Sequence, residues 1–144
     1  MKVRELMTKH VIRIHPEEPV AVAARTLTQY NIGALPVCGG DGRLYGMVTD
    51  RDLVIRCMAS GRSAEQMKVR DVMTGGVVSV SPEMDISAAA HLMGRRQVRR
   101  LPVVENGRLC GMVSLGDLAT TDSGAMDAAD ALTEITANIR METL

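Results

Sequence analysis

Two stretches of the chain carry apolar residues at helical spacing. Val20, Ala23, Ala24 and Leu27 recur at i, i+3, i+4 and i+7, as do Ile86, Ala89, Ala90 and Met93, which predicts one amphipathic helix in each half. A short β-branched run precedes each helix, Val11 to Ile14 and Val77 to Val80, and is closed by a proline at 16 or 82. Runs of this kind suit short strands. Two more strand-like runs follow each helix: Ala34 to Cys38 and Tyr45 to Thr49 flank Gly39-Gly40-Asp41-Gly42, and Arg100 to Val104 and Leu109 to Ser114 flank Glu105-Asn106-Gly107. Glycine-rich turns between such runs predict hairpins. A second helix is expected from near Asp50 and from near Leu115.

The likeness of the halves extends to the residues. Displaced by 66 positions, Val3-Arg4-Glu5-Leu6-Met7-Thr8 falls on Val69-Arg70-Asp71-Val72-Met73-Thr74, Pro16-Glu17 on Pro82-Glu83 and Leu35-Pro36-Val37 on Leu101-Pro102-Val103. After one residue is lost from the turn, Gly46-Met47-Val48-Thr49 lies over Gly111-Met112-Val113-Ser114, and Asp52-Leu53 over Asp117-Leu118. One register held with a single gap in a turn is an internal duplication. The expected architecture is a mixed α/β (α+β) fold of two β-α-β-β-α repeats, residues 1–60 and 69–121, joined by a linker at 61–68 and followed by a helical tail at 122–144. Neither copy alone is large enough to cover its sheet, so the two are expected to pack together. In the tail, Met126, Ala129, Leu132 and Ile135 or Thr136 form one stripe, expected to dock on the module or on a second subunit.

Composition narrows the function. Seventeen basic residues balance seventeen acidic ones in 144 residues, so no global field favours a nucleic acid. No apolar run approaches the roughly 20 residues of a membrane span. The start, MKVRELMTKH, lacks the apolar stretch of a signal peptide, so a cytoplasmic protein without membrane partners is expected. Cys38, Cys57 and Cys110 show no CxxC spacing, and His10, His15 and His91 no HExxH context. With neither a metal-ligand pattern nor a nucleophile paired with a base, an enzyme is not expected. Phe and Trp are absent while Met occurs eleven times, so a planar ligand would be held by aliphatic walls.

The repeated GMVTDRD at 46–52 and GMVSLGD at 111–117, preceded by ALPV and RLPV, resemble the cystathionine-β-synthase (CBS) domain. Its tandem pair is called a Bateman module. The resemblance spans residues 3 to 120 and is similar to the short stand-alone bacterial CBS-pair proteins, the hypoxic-response type among them. It implies two repeats about a pseudo-twofold axis, no catalytic domain and frequent homodimers.

The residues of the motif admit two readings. Thr49 and Ser114 sit where a strand gives way to a helix, so free first-turn N–H groups would welcome an anion. Asp52 and Asp117, three residues on, carry two acceptor oxygens each, suited to a ribose cis-diol. The same spacing also makes a capping box, in which hydroxyl and carboxylate serve the backbone alone. By resemblance, one cleft would use Ser114 and Asp117 with Thr8, Ile12, Ile32 and Ala34 above Met112. The other would use Thr49 and Asp52 with Thr74, Val78 and Val98 above Met47. In that second cleft Arg100 would meet phosphate or fill the space of a base, and Arg51 is a further phosphate candidate; Arg95, Arg96, Arg99 and Arg100 form a basic cluster that would otherwise complement a helix end.

The leading expectation is a non-catalytic sensor that requires no cofactor, binds an adenine nucleotide (AMP, ADP or ATP) as a regulatory ligand in clefts between the repeats, and pairs as a homodimer or with a regulated protein. The alternatives are a ligand-independent dimerisation module, its alanine-rich stripes Ala21 to Ala24 and Ala88 to Ala90 meeting a second copy, and a redox- or metal-responsive protein using its cysteines.

Overall fold

The computed structural model describes the backbone of residues 1–143 and the side chains of residues 1–137. Leu144 and the tail side chains from residue 138 on lie outside the described residues. In chain order the elements are α1 (Val20–Tyr30), β1 (Ala34–Cys38), β2 (Leu44–Thr49), α2 (Asp50–Asp52), α3 (Val69–Val72), β3 (Thr74–Gly75), α4 (Ile86–Arg96), β4 (Arg100–Glu105), β5 (Arg108–Ser114), α5 (Leu115–Ala119) and α6 (Ala125–Thr143). A 3-10 turn at Val3–Glu5 precedes them. After α2 the chain continues through a π-helical segment, Leu53–Cys57, and a 3-10 turn, Met58–Ser60.

These elements fall into two compact units. The first holds Met1–Val11, Val78–Asn106 and the chain from Cys110 onward; the second holds Ile12–Val77 and Gly107–Leu109. The opening turn of each repeat therefore belongs with the body of the other. In the first unit Val3 is buried with Val80, Ile86, Ala89, Ala90, Met93, Leu101, Val103, Val113 and Leu118. In the second, Val69 and Val72 are buried with Ile14, Val20, Ala23, Leu27, Leu35, Val37 and Val48. Backbone bonds fix both turns alike: Val3 N donates to Met84 O at 2.8 Å and Arg4 N to Pro82 O at 3.0 Å, while Val69 N donates to Glu18 O and Arg70 N to Pro16 O, both at 2.9 Å. An ion pair crosses each junction, Arg4 with Glu83 and Arg70 with Glu17.

The exchanged segments also close the open ends of the long helices. Pro19 at the start of α1 offers no side-chain cap. The first N–H groups instead meet the segment before α3: Val20 N donates to Met67 O at 2.8 Å and Ala21 N to Ala64 O at 2.9 Å. In the first unit Met1 O accepts from Ile86 N at 3.0 Å. Orphan donors of each helix start are thus satisfied by backbone carbonyls distant in sequence, from the linker at α1 and from the first residue at α4.

Both hairpins form. β1 and β2 are antiparallel, with Leu35 opposite Val48 and Pro36 opposite Met47, and β3 adds to β2 through Gly46–Gly75 and Met47–Thr74. β4 and β5 pair around Asn106-Gly107, whose φ angles of 54° and 79° suit the tight turn that Asn-Gly favours. The runs at 11–14 and 77–80 are not ladder strands. Each makes a single parallel bridge, Ile14 to Val37 and Val80 to Val103, because proline two residues on leaves no donor to extend it.

Three expectations about helix faces need correction. The α4 stripe is buried as the periodicity predicts, but Ala24 of α1 is only half-buried. In α6 the inward face is Ala128, Ala131 and Ile135, while Met126 and Leu132 are exposed. Close approach contributes: a Cβ on Gly94 of α4 would lie 3.3 Å from Ala131 Cα, so a small residue is needed at 131, while the expected Ile135 is buried on the same face. Ala21, Ala23, Ala89 and Ala90 of the alanine-rich stripes are likewise buried in their own units, which leaves Ala24 half-buried and Ala88 exposed at the surface.

At two positions glycine is demanded by the exchange. A Cβ on Gly46 would sit 2.3 Å from Thr74 O, and one on Gly111 would sit 2.9 Å from Thr8 O and 2.8 Å from Met7 Sδ. We expect Gly46→Ala and Gly111→Ala each to cost about 1–3 kcal/mol in urea unfolding, against a change within about 0.5 kcal/mol for Gly40→Ala, whose Cβ would meet nothing within 4 Å.

Candidate functional site

The chemistry singled out by the repeated motif lies at two strand-to-helix corners, β2 to α2 in the second unit and β5 to α5 in the first. Both corners are capping boxes. Thr49 N donates to Asp52 Oδ2 at 2.9 Å and Asp52 N to Thr49 Oγ1 at 3.1 Å; Ser114 N donates to Asp117 Oδ2 at 2.8 Å and Asp117 N to Ser114 Oγ at 3.1 Å. A cap of this kind is worth about 1 kcal/mol, so each motif has a structural role without any ligand.

The expectation of free first-turn donors is corrected at α2. Asp50 N donates to Gly33 O at 3.0 Å and Arg51 N to Asp50 Oδ1 at 2.8 Å, which with the capping box uses all four N–H groups from Thr49 to Asp52. At α5, Leu115 N donates to Arg99 O at 2.8 Å. Leu115 stands where Asp50 does in the other copy, so no side chain at that position takes up the Gly116 N–H, which has no partner among the described residues.

The second carboxylate oxygens differ too. Asp52 Oδ1 lies 3.8 Å from Arg56 Nη1. The same nitrogen donates to Val72 O and Met73 O, both at 2.9 Å, and to Thr74 Oγ1 at 3.3 Å. Arg56 therefore occupies the space between Asp52 and Thr74. Its counterpart in the duplication is Thr121, which donates to Leu118 O at 2.9 Å. Among the described residues no cation approaches Asp117 Oδ1, and that oxygen has no partner. Arg56 was not singled out from the sequence, although its place four residues after Asp52 on a helical path is an ion-pair signal.

The remaining expected residues divide between the units. In the first, Thr8 is bonded to the floor of its corner: Thr8 N donates to Met112 O at 2.8 Å and Met112 N to Thr8 O at 3.0 Å. Val78 and Val98 are half-buried there and Arg100 is exposed. In the second, Thr74 pairs with the buried Met47. Ile12, Ile32 and Ala34 are half-buried and Arg51 is exposed. Thus Thr8, Met112, Ser114 and Asp117 share one unit, and Thr74, Met47, Thr49, Arg51 and Asp52 share the other.

The thiols are set as packing groups. Cys38 and Cys57 are buried, Cys110 partly so. Cys57 Sγ donates to Arg62 O at 3.7 Å and Cys110 Sγ to Val103 O at 3.3 Å. Burial pushes the Cys38 thiol up, against the opposing pull of Arg13; burial and then Glu105 push Cys110 up. Among the described residues no group of three or more His, Cys, Asp or Glu gathers as metal ligands, and no helix is long and apolar enough to cross a membrane.

Comparison with known proteins agrees with the duplication. The model of the CBS domain family matches residues 3–58 and again 69–124. The CBS domain-containing protein YhcV of Bacillus subtilis is 41% identical over 133 residues, covering 92% of this chain and 94% of its own. The crystal structure of Hypoxic Response Protein I with two coordinated zinc ions superposes with a TM-score of 0.77 at 34% identity, over 83% of this chain and 97% of that one. The crystal structure of CBSX2 in complex with AMP gives a TM-score of 0.71 at 28% identity, over 81% and 91%.

Because the thiolate is the nucleophile, raised values for Cys38 and Cys110 lower the reactive fraction at neutral pH. Alkylation by iodoacetamide, followed site by site by mass spectrometry, should be slower at both than for free cysteine at pH 8. Its rate should still be climbing at a pH where free cysteine has levelled off.

Proposed function

The chain belongs to the CBS-domain family, and from that premise we propose that it is a non-catalytic regulatory module whose Ser114–Asp117 corner holds an adenosine-type nucleotide, AMP, ADP or ATP. One observation carries the choice of corner: Asp117 keeps an acceptor oxygen with no partner among the described residues, whereas the corresponding oxygen of Asp52 faces Arg56. In this reading Asp117 Oδ2 holds the helix start and Oδ1 accepts from a ribose hydroxyl. Thr8 and Met112 lie beside the sugar. The Gly116 N–H, with Arg99 or Arg100, meets phosphate. The Thr49–Asp52 corner takes ligand only when Arg56 is displaced, so it binds more weakly. A solved relative in complex with AMP supports the ligand class. For the nucleotide to regulate, it must bind one conformation of the protein better than another.

Calorimetry with AMP, ADP and ATP tests this. Asp117→Asn keeps one oxygen for the capping bond and replaces the other by an amide donor, and we expect it to weaken binding about tenfold or more, at least ~1.4 kcal/mol. Asp52→Asn should change affinity less than about twofold. Absence of binding at millimolar nucleotide, or an unchanged Asp117→Asn variant, overturns the proposal.

A homodimer is the second part of the reading. It is supported by the exposed apolar residues Val54, Ile55 and Met58 on the helical path after α2, which are 52%, 50% and 74% exposed, an arrangement that favours burial against another surface. Light scattering should give twice the monomer mass for the wild type with or without AMP, and the monomer mass for Ile55→Asp. A wild-type monomer at high concentration rejects it.

A further inference from the structure

We propose that Arg13, Arg43 and Arg108 form a second anion site, for a small polyphosphate of the pyrophosphate type, at the tip of the first hairpin. All three belong to the second unit, and the site stands independently of the Ser114–Asp117 corner, which lies in the first.

The backbone forces the arginines together. Arg43 and Arg108 stand opposite one another in an antiparallel bridge, fixed by Leu44 N donating to Gly107 O at 3.2 Å and Leu109 N to Gly42 O at 3.0 Å. Like charges directly opposite across such a bridge are destabilising. The two glycines bring the side chains closer still. A Cβ on Gly107 would lie 2.9 Å from Arg43 Nη1, so that guanidinium rests in the space the missing side chain leaves. A Cβ on Gly42 would lie 4.0 Å from Arg13 Nη1 and 4.0 Å from Arg108 Cβ and Cγ. The Arg13 guanidinium and the stem of Arg108 thus approach Gly42, and the Arg43 guanidinium approaches Gly107 across the bridge, so that three separate segments of chain bring an arginine to the paired turns.

Local acids do not balance them. Asp41 lies 3.7 Å from Arg43 Nε and also accepts from Arg43 N at 3.0 Å. Among the described residues Arg13 and Arg108 have no carboxylate within ion-pair distance. Among the described residues the three arginines thus have one carboxylate, Asp41, within ion-pair distance, and all three are exposed to solvent. A guanidinium presents a planar fork of donors that matches phosphate oxygens two at a time. An anion with two linked phosphates can span forks on different segments, which a single phosphate or a sulfate cannot do as well.

Titration of the full chain with sodium pyrophosphate, by calorimetry at fixed low ionic strength, tests the site. Binding is expected for the wild type, with sulfate about tenfold weaker. Arg108→Gln and Arg43→Gln should each lower the affinity about tenfold, and Arg108→Lys, which keeps the charge without the fork, by less. Asp117→Asn should leave pyrophosphate affinity unchanged, which separates this site from the nucleotide corner. Thermal melting adds a control on folding: without anion, Arg108→Gln should melt at or above the wild type, because the like-charge pair is gone. No binding at millimolar pyrophosphate, unchanged affinity in both glutamine variants, or loss in Asp117→Asn overturns the proposal.

Discussion

The approach of one backbone onto another at Gly46 and Gly111 is the constraint on which the rest depends. Thr8 and Met112 exchange both of their backbone hydrogen bonds, and Thr74 takes the matching position against Met47. Side chains at 46 or 111 would occupy the space of the crossing segment. Since that segment comes from the other repeat, neither repeat completes its own sheet or its own core. The buried Val3 in one unit and the buried Val69 and Val72 in the other are the packing side of the same exchange. It also puts Thr8, a residue of the first repeat, beside the strand that leads to Ser114 and Asp117 of the second.

Much of this was legible in the sequence. The period of the duplication, the two hairpins and the long helices follow from patterns that local chemistry enforces: glycine and asparagine at turns, proline after a short apolar run, and apolar residues every three or four positions. The short runs at 11–14 and 77–80 misled because β-branched composition reports a preference for extended backbone, not the number of ladder bonds. The face of α6 misled for a different reason. Periodicity favours a stripe through Met126 and Leu132, but α4 comes close at Gly94, where Ala131 fits, so tertiary contact turned Ala128, Ala131 and Ile135 inward instead.

The corners were legible in position and ambiguous in role. Thr-x-x-Asp and Ser-x-x-Asp specify a capping box and do form one in each unit. What the spacing does not contain is the state of the other carboxylate oxygen, because that depends on a residue one helical turn further on. Arg56 in the first copy and Thr121 in the second make the two corners chemically different while their backbones remain alike. Asp50 and Gly116 add to the difference, since an acidic side chain consumes the neighbouring amide in one copy and is missing in the other.

A duplicated fold gives this kind of divergence a physical basis. The cap at each corner stabilises its own unit, so the Ser or Thr and the Asp are held by folding in both copies whatever else they do. Occupying the second oxygen costs folding little in either direction: an exposed guanidinium on a partly buried carboxylate contributes modestly, and an oxygen left facing solvent is satisfied by water. One copy can therefore be closed by its own arginine and the other left open with nearly the same stability. The arginines at the first hairpin follow a different logic. Among the described residues only Asp41 comes within ion-pair distance of them, and a cluster of like charges of that kind persists at a turn most readily where an anion from solution relieves it.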